Sequence, residues 1–403
     1  MPHAWRRGYW ASAPHETVAP VATSSQALAG HPRFRVVAHR SFTATARRLY
    51  RAFVTVDPIP DGDVLVRRIA LTLSALTATG LVLTACGGGP SSSPPPAPTP
   101  RGAEHGHAVS LRWPLTGFKV RSNRTAALRH PVLVTKMDNT PSSRPQVGLR
   151  KADMVVEELV EGGLTRLAVF YYSQIPGNVG PVRSMRASDI DVVSPAHASV
   201  VTSGAAPITI KRIRAAHIRF YGQGARGMYR SSRRPAPYNL FVHLKKVAAV
   251  AKRKPATPPD YLTWGKASDL PHGRKVTRIS AHFSPAHTTK WVFAKGRYRN
   301  TDSNAPRGDQ FPATSVLVLR VREGNAGYLD PAGNPVPETL LRGSGHALLF
   351  HGGRMVVATW HKGKARTATI KLTKRNGHKL DVPAGHTWIE LVPVHGGHIV
   401  TSR

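Results

Sequence analysis

Apolar positions between Trp113 and Pro393 come in short runs whose spacing changes along the chain. Residues 131–137 form an apolar run that ends on Asp138 and Asn139 ahead of Pro141, the pattern of a strand delivering polar side chains to a loop. Residues 154–161 and 164–172 are two further runs joined by Gly162-Gly163, which predicts a β-hairpin with a two-residue turn. In that register Glu161 faces Leu164, Leu159 faces Arg166 and Glu157 faces Ala168. Glu157, Glu161 and Arg166 then share one face, with Arg166 diagonal to both acids. Ser184 is placed to cap a helix over 185–193, a strand is expected at 198–202, and Pro207 suits the first turn of a helix over 207–215. A basic helix over 244–253 completes the series.

Strands alternating with helices predict an α/β or α+β N-terminal domain with a mixed sheet over 111–254. The Pro-, Lys- and Thr-rich stretch 255–273 reads as a linker. Beyond it, short runs at 276–283, 290–293, 315–321, 346–350, 355–360, 367–372 and 387–391 are separated by Gly, Pro and Asn. These predict a mostly antiparallel β C-terminal domain over 274–403.

Upstream the pattern is different. Arg67-Arg68 precedes an uncharged run over 69–84 that closes on Leu83-Thr84-Ala85-Cys86. A basic start, a short apolar stretch and small residues at the end describe a secretory signal, and Leu-Thr-Ala-Cys resembles a lipobox, whose cysteine is lipidated. The run is short for a bilayer span and thick with Thr and Ala. Residues 64–86 are thus read as a lipoprotein signal peptide ending at Cys86. Residues 1–63 lack periodicity and are either the product of a start placed too early or a genuine extension. Residues 87–110, rich in Gly, Ser and Pro, form a tether that would reach about 60 Å if fully extended.

The formal charge is +36, and residues 1–85 carry ten Arg and four acids, so about +30 remains on the rest. Such a surface attracts anions: nucleic acid, anionic lipid or a phosphate-rich wall polymer. The signal places the chain outside the cytoplasm and argues against nucleic acid. The single cysteine, Cys86, excludes internal disulfides and thiolate zinc clusters. No HExxH, P-loop or strand-linked GxGxxG is present, so neither metal nor cofactor is expected.

The candidate site lies between Lys136 and Asp189. Asp138, Glu157 and Glu161 are the carboxylates available for acid–base chemistry of the glycosidase kind. Asn139, Arg144, Gln146, Arg166, Arg183, Ser184 and Arg186 are the candidate ligand-binding residues. Arg183 and Arg186 at a helix start would hold a carboxylate or phosphate, or else pair with nearby acids. Arg166 bridging the acids as a structural ion pair is the favoured reading of that residue. All six charged residues of the set 138, 157, 161, 166, 183 and 186 are expected on one concave surface. Two functions follow: a tethered module binding an anionic wall component, or a hydrolase of peptidoglycan or another wall glycan.

The blocks RPQVGLRKADMVVEELVEGGLTRLAVFYYSQ and GNVGPVRSMRASDID, with GSGHALLFHGG, ATWHKG around Trp360 and AGHTWIELVP, resemble the YerB-like lipoprotein family. The resemblance runs from about Trp113 to Pro393. It implies a two-domain lipoprotein of the bacterial envelope and implies no reaction.

Overall fold

The Val-rich runs become the middle of one large sheet. The computed structural model describes residues 111–121, 130–251 and 257–403. The expectations for 1–63, for the signal at 64–86 with Cys86 and for the tether at 87–110 fall outside the described residues.

Strands β1 (Leu133–Asp138), β2 (Met154–Leu159) and β3 (Thr165–Tyr171) form an antiparallel group in the order β2-β3-β1. β4 (Ser199–Val201) joins β1 in parallel, which makes the sheet mixed. Helices α1 (Asp189–Val193), α2 (Pro207–Ala215) and α3 (Leu244–Val250) intervene, with a separate ribbon of β5 (Met228–Arg230) and β6 (Leu240–His243). α2 spans its predicted residues. α1 starts four residues late, at Asp189. The Met185 amide is drawn to Gly204 O and Thr202 Oγ1, and the Arg186 amide to Asp189 Oδ2 at 2.7 Å, so the chain stays extended past Ser184. Ser184 caps nothing; its hydroxyl meets Ser203 Oγ at 3.1 Å.

The C-terminal part is mostly antiparallel. β7 (Arg278–Ser284), β8 (His287–Ala294), β9 (Arg297–Asn300) and β15 (His398–Ser402) make a four-stranded sheet in the order β9-β8-β7-β15. β10 (Ser315–Leu329), β11 (Pro335–Leu340), β12 (Gly343–His351) and β13 (Arg354–Lys362) are antiparallel neighbours. β14 (Thr387–Pro393) departs from this, lying parallel to β10 on one side and to β2 on the other. One thirteen-stranded sheet therefore crosses both parts of the chain.

Apolar cores cover both faces of this sheet. One gathers Val134, Val156, Phe170, Val192, Tyr261 and Leu317; the other gathers Met137, Val155, Leu167, Phe283, Trp291 and Trp388. The four-stranded sheet packs on the second face through Phe283 and Trp291. The described end of the expected linker is part of the first core. Tyr261 and Leu262 are buried, Tyr261 donates to Val192 O at 2.9 Å and Trp264 Nε1 donates to Pro114 O at 3.0 Å. Among the described residues no helix is long and apolar enough to cross a membrane.

Candidate functional site

The hairpin forms, but its register differs by one from the predicted one. Glu158 faces Arg166 and Glu157 faces Leu167. Val160, predicted to be outside the turn on a two-residue count, closes it instead: its amide donates to Leu164 O, leaving Glu161, Gly162 and Gly163 as a three-residue turn. Gly162 and Gly163 both take positive φ, near 70°, which a longer turn of this kind needs. A one-residue slip exchanges the faces of a strand. Glu157 and Glu158 are consecutive, both fully buried, and point to opposite sides of β2. Each organises its own cluster.

On the first face, Lys136 Nζ lies 2.5 Å from Glu158 and 2.8 Å from Asp189, with all three side chains buried. Burial works against the lysine's charge, but Asp189 and Glu158 outweigh it and hold its pKa above the ordinary value. Nearby, Glu161 accepts from Arg166 at 2.8 Å and from both ends of the Arg186 guanidinium. Burial opposes the Glu161 charge, and the two arginines overcome it and hold its pKa down. Asp138 meets Arg183 at 2.7 Å. Burial and the Arg186 charge lower the Arg166 pKa to about 10, still cationic at neutral pH. Arg166 also donates to Ser184 O, and Arg183 sits 5.5 Å from the ring of Tyr238. Every acid here is matched by a base, so the arrangement is a structural ion network.

On the second face Glu157 is buried behind the lining of a cavity of about 180 Å³ formed by Asn139, Arg144, His287, Asn300, Asp302 and Asn304, among others. Its Oε1 accepts from Asn139 Nδ2 (2.9 Å), Thr165 Oγ1 (2.8 Å) and Thr289 Oγ1 (2.9 Å), and lies 2.8 Å from His287 Nε2. Its Oε2 accepts from Trp388 Nε1 at 3.2 Å. Burial works against the Glu157 charge, but His287 prevails and holds the carboxyl below its ordinary pKa. Burial also disfavours His287⁺, and Glu157 reverses that, so the imidazole pKa is raised. Beside Glu157 in the parallel pair is Glu390, whose Oε1 accepts from Trp291 Nε1 at 2.7 Å. Burial, then the Glu157 charge, pushes the Glu390 pKa well above the ordinary carboxylate value, which favours its protonated form beside Glu157.

The walls are tied to the floor. Gln146 donates to Asp138 O (2.7 Å) and to Asn139 Oδ1 (3.2 Å), while Asn304 Nδ2 donates to Asn139 O (3.0 Å). Arg144 Nε donates to Asn304 Oδ1 at 2.7 Å, and no carboxylate pairs with this exposed guanidinium among the described residues. Asp302 is raised from its ordinary pKa by burial. The result is a small polar pocket offering amides, an imidazole, a guanidinium and one carboxyl. Among the described residues no group of three or more His, Cys, Asp or Glu is arranged to hold a metal ion.

The predicted single surface is thus two. Asp138, Glu161, Arg166, Arg183 and Arg186 come together with Ser184 on the first face. Asn139, Arg144, Gln146 and Glu157 meet on the second. The three candidate carboxylates do not pair with one another: Glu157 is across the sheet, and Asp138 and Glu161 are held by arginines. The helix start expected to bring Arg183 and Arg186 onto an anion begins beyond both. His287, Thr289, Asp302, Asn304 and Glu390 were not anticipated, because they arrive from the C-terminal half. The acid inside the apolar run TWIELVP was the one available signal: an unexplained Glu in a buried strand asks for a partner.

The family described as "Protein of unknown function (DUF3048) N-terminal domain" matches residues 115–257, and its C-terminal counterpart matches residues 278–389. The putative lipoprotein YerB of Bacillus subtilis (strain 168) is 27% identical over 302 residues, which is 71% of this chain and 87% of that protein. The crystal structure of the YerB protein from Bacillus subtilis is similar in fold, with a TM-score of 0.59 at 22% identity, covering 72% of this chain and 99% of that one.

Proposed function

The chain belongs to the YerB-like family, and on that premise we propose that it is an extracytoplasmic lipoprotein, anchored through Cys86, whose pocket binds an anionic component of the cell wall. The observation that carries the binding reading is Arg144: an exposed guanidinium without a carboxylate partner, at the mouth of a pocket whose other polar groups are hydrogen-bonded in place. A fork of this kind suits a carboxylate or phosphate, and the amides of Asn139, Asn300 and Asn304 suit hydroxyls around it. The charge of about +30 on the residues from Cys86 onward favours encounter with such a polymer. Hydrolysis has less support. Glu157 is fully buried beneath its hydrogen-bond partners, and Glu390, its neighbour across the parallel pair, is fully buried too.

Anchoring is tested at the cysteine. Cys86→Ser should leave the protein unprocessed or release it from membranes; unchanged size together with unchanged membrane association refutes the lipoprotein reading. The full chain carrying Cys86→Ser then serves for binding to purified wall, before and after its anionic polymer is stripped. Stripping should abolish most of the binding, Arg144→Ala should weaken it about tenfold, and added salt should weaken it further as exposed charges are screened. Equal binding to stripped wall, or release of soluble wall fragments, counts against the proposal.

A further inference from the structure

A second recess lies on the other side of the same loop. It has a volume of about 340 Å³ and is lined by Pro145, Val147, Tyr229, Arg233, Arg234 and Phe241, among others. Arg144 lines the first pocket and Pro145 the second, so the two share the 143–145 loop as a common wall. That wall is held by Arg234, whose Nη2 donates to Ser143 O at 3.2 Å and to Pro145 O at 3.0 Å.

The chemistry of the second recess differs from that of the first. Tyr229 and Phe241 are cross-strand partners with rings 6.0 Å apart at 29°, and Tyr229 also lies 4.5 Å from His243 at 19°. Near-parallel rings in a row make an apolar wall with a polar edge. Arg234 lies 5.3 Å from the Phe241 ring and covers its outer side, while Tyr229 is only half-buried. Arg233 is exposed, and its guanidinium has no hydrogen bond or ion pair among the described residues. The stretch that carries the aromatic wall has charge of one sign. No Asp or Glu occurs between Asp191 and Asp260, whereas Arg226, Arg230, Lys245 and Lys246 join the two arginines and are exposed.

We propose that this aromatic recess is a second subsite for the same ligand, holding a sugar ring of an anionic glycan while a neighbouring unit occupies the pocket at Arg144. It rests on the binding reading above and adds that the ligand is a chain of ring-bearing units. The C–H face of a pyranose matches the half-exposed Tyr229 ring, and Arg233 at the rim matches a carboxylate or phosphate on that ring. A ligand crossing the shared loop makes both contacts at once, so the second becomes intramolecular and affinity rises with chain length.

The test is a length series. Hexuronic-acid monomer, dimer, tetramer and hexamer are titrated into the full chain carrying Cys86→Ser, alone and with Tyr229→Leu or, as an exposed variant with no packing role, Arg233→Gln. Affinity is expected to rise at least tenfold from monomer to hexamer. Either variant should remove most of that rise and leave monomer binding within twofold. Monomer binding lost in Arg144→Ala identifies the first pocket as its seat; absence of such loss sinks the underlying binding reading. A length dependence that survives both groove variants overturns the second subsite while leaving the first pocket standing. Tighter binding of a single-stranded oligonucleotide than of the hexamer, with the same dependence on Tyr229, overturns the glycan and assigns the groove to nucleic acid.

Discussion

Lys136→Met lowers stability at pH 8 by about 3–5 kcal/mol, the usual cost of removing one partner from a buried charge group. The side chains of Lys136, Glu158 and Asp189 are buried together, and no other cation reaches Glu158 or Asp189 as an ion pair among the described residues. Without the ammonium, two carboxyls remain in a low-dielectric space, and the variant's native state keeps them protonated above the ordinary carboxylate range. Their folded pKa values then exceed the unfolded ones, so the native variant binds more protons than the unfolded chain as pH climbs above about 4. The loss is accordingly smaller at pH 4 than at pH 8. Chemical denaturation of both proteins at the two pH values measures it. A difference under about 1 kcal/mol at pH 8, or one that shrinks with rising pH, shows that water or another cation serves the carboxyls.

The second large effect separates two neighbouring acids. Glu157→Gln costs about 2–4 kcal/mol, whereas Glu390→Gln costs under about 1 kcal/mol. Glu157 is ionised and accepts from Asn139, Thr165, Thr289 and Trp388 beside His287. An amide cannot accept them all and leaves the imidazolium without its counter-charge. The raised pKa of Glu390 favours its neutral form, so an amide that accepts from Trp291 replaces it closely. The pH dependence has a definite sign. The Glu157–His287 attraction is whole only while the acid is ionised and the imidazole protonated. It is lost as pH falls through the lowered Glu157 pKa, and as pH rises past 6.5 through the raised His287 pKa. Glu390, with its raised pKa, adds a loss that grows as pH rises above 4.5. Melting temperature should therefore fall from pH 6 to pH 9, less steeply in Glu390→Gln. A Glu390→Gln protein as damaged as Glu157→Gln would mean that Glu390, too, is ionised.

Much of this fold was legible in the sequence because strand signals are local. The 154–172 hairpin, the α2 helix at Pro207–Ala215 and most runs after residue 274 appear where alternation and turn residues put them. What local patterns did not carry was pairing at a distance. Nothing near TWIELVP says that it runs parallel to both Met154–Leu159 and Ser315–Leu329, yet that placement sets Glu390 against Glu157. The site suffered from a finer ambiguity. Gly-Gly is equally compatible with a two- and a three-residue turn, and the choice decides whether Leu159 or Glu158 faces Arg166. A strand buried on both faces offers no polar side to fix the register from its own letters. The residues of the pocket were half visible for the same reason. Asn139 and Arg144, with Gln146 and Glu157 behind them, come from one continuous stretch, whereas His287 comes from the four-stranded sheet and Asp302 and Asn304 from the loop that follows its Arg297–Asn300 strand.

Inserting Thr387–Pro393 between strands of both halves also sets a folding order. The strand that joins them leaves the ribosome after both of the strands it pairs with. Until it docks, Met154–Leu159 shows a bare hydrogen-bonding edge, and Glu157 lacks the Trp388 donor. Docking closes a loop of more than two hundred residues, and contacts so far apart in sequence form slowly. Neither half can therefore be exchanged or lost by recombination without exposing a sheet edge on the other. This topology builds in a delay: the sheet remains incomplete until Thr387–Pro393 has been made, more than two hundred residues after the Met154–Leu159 strand it covers.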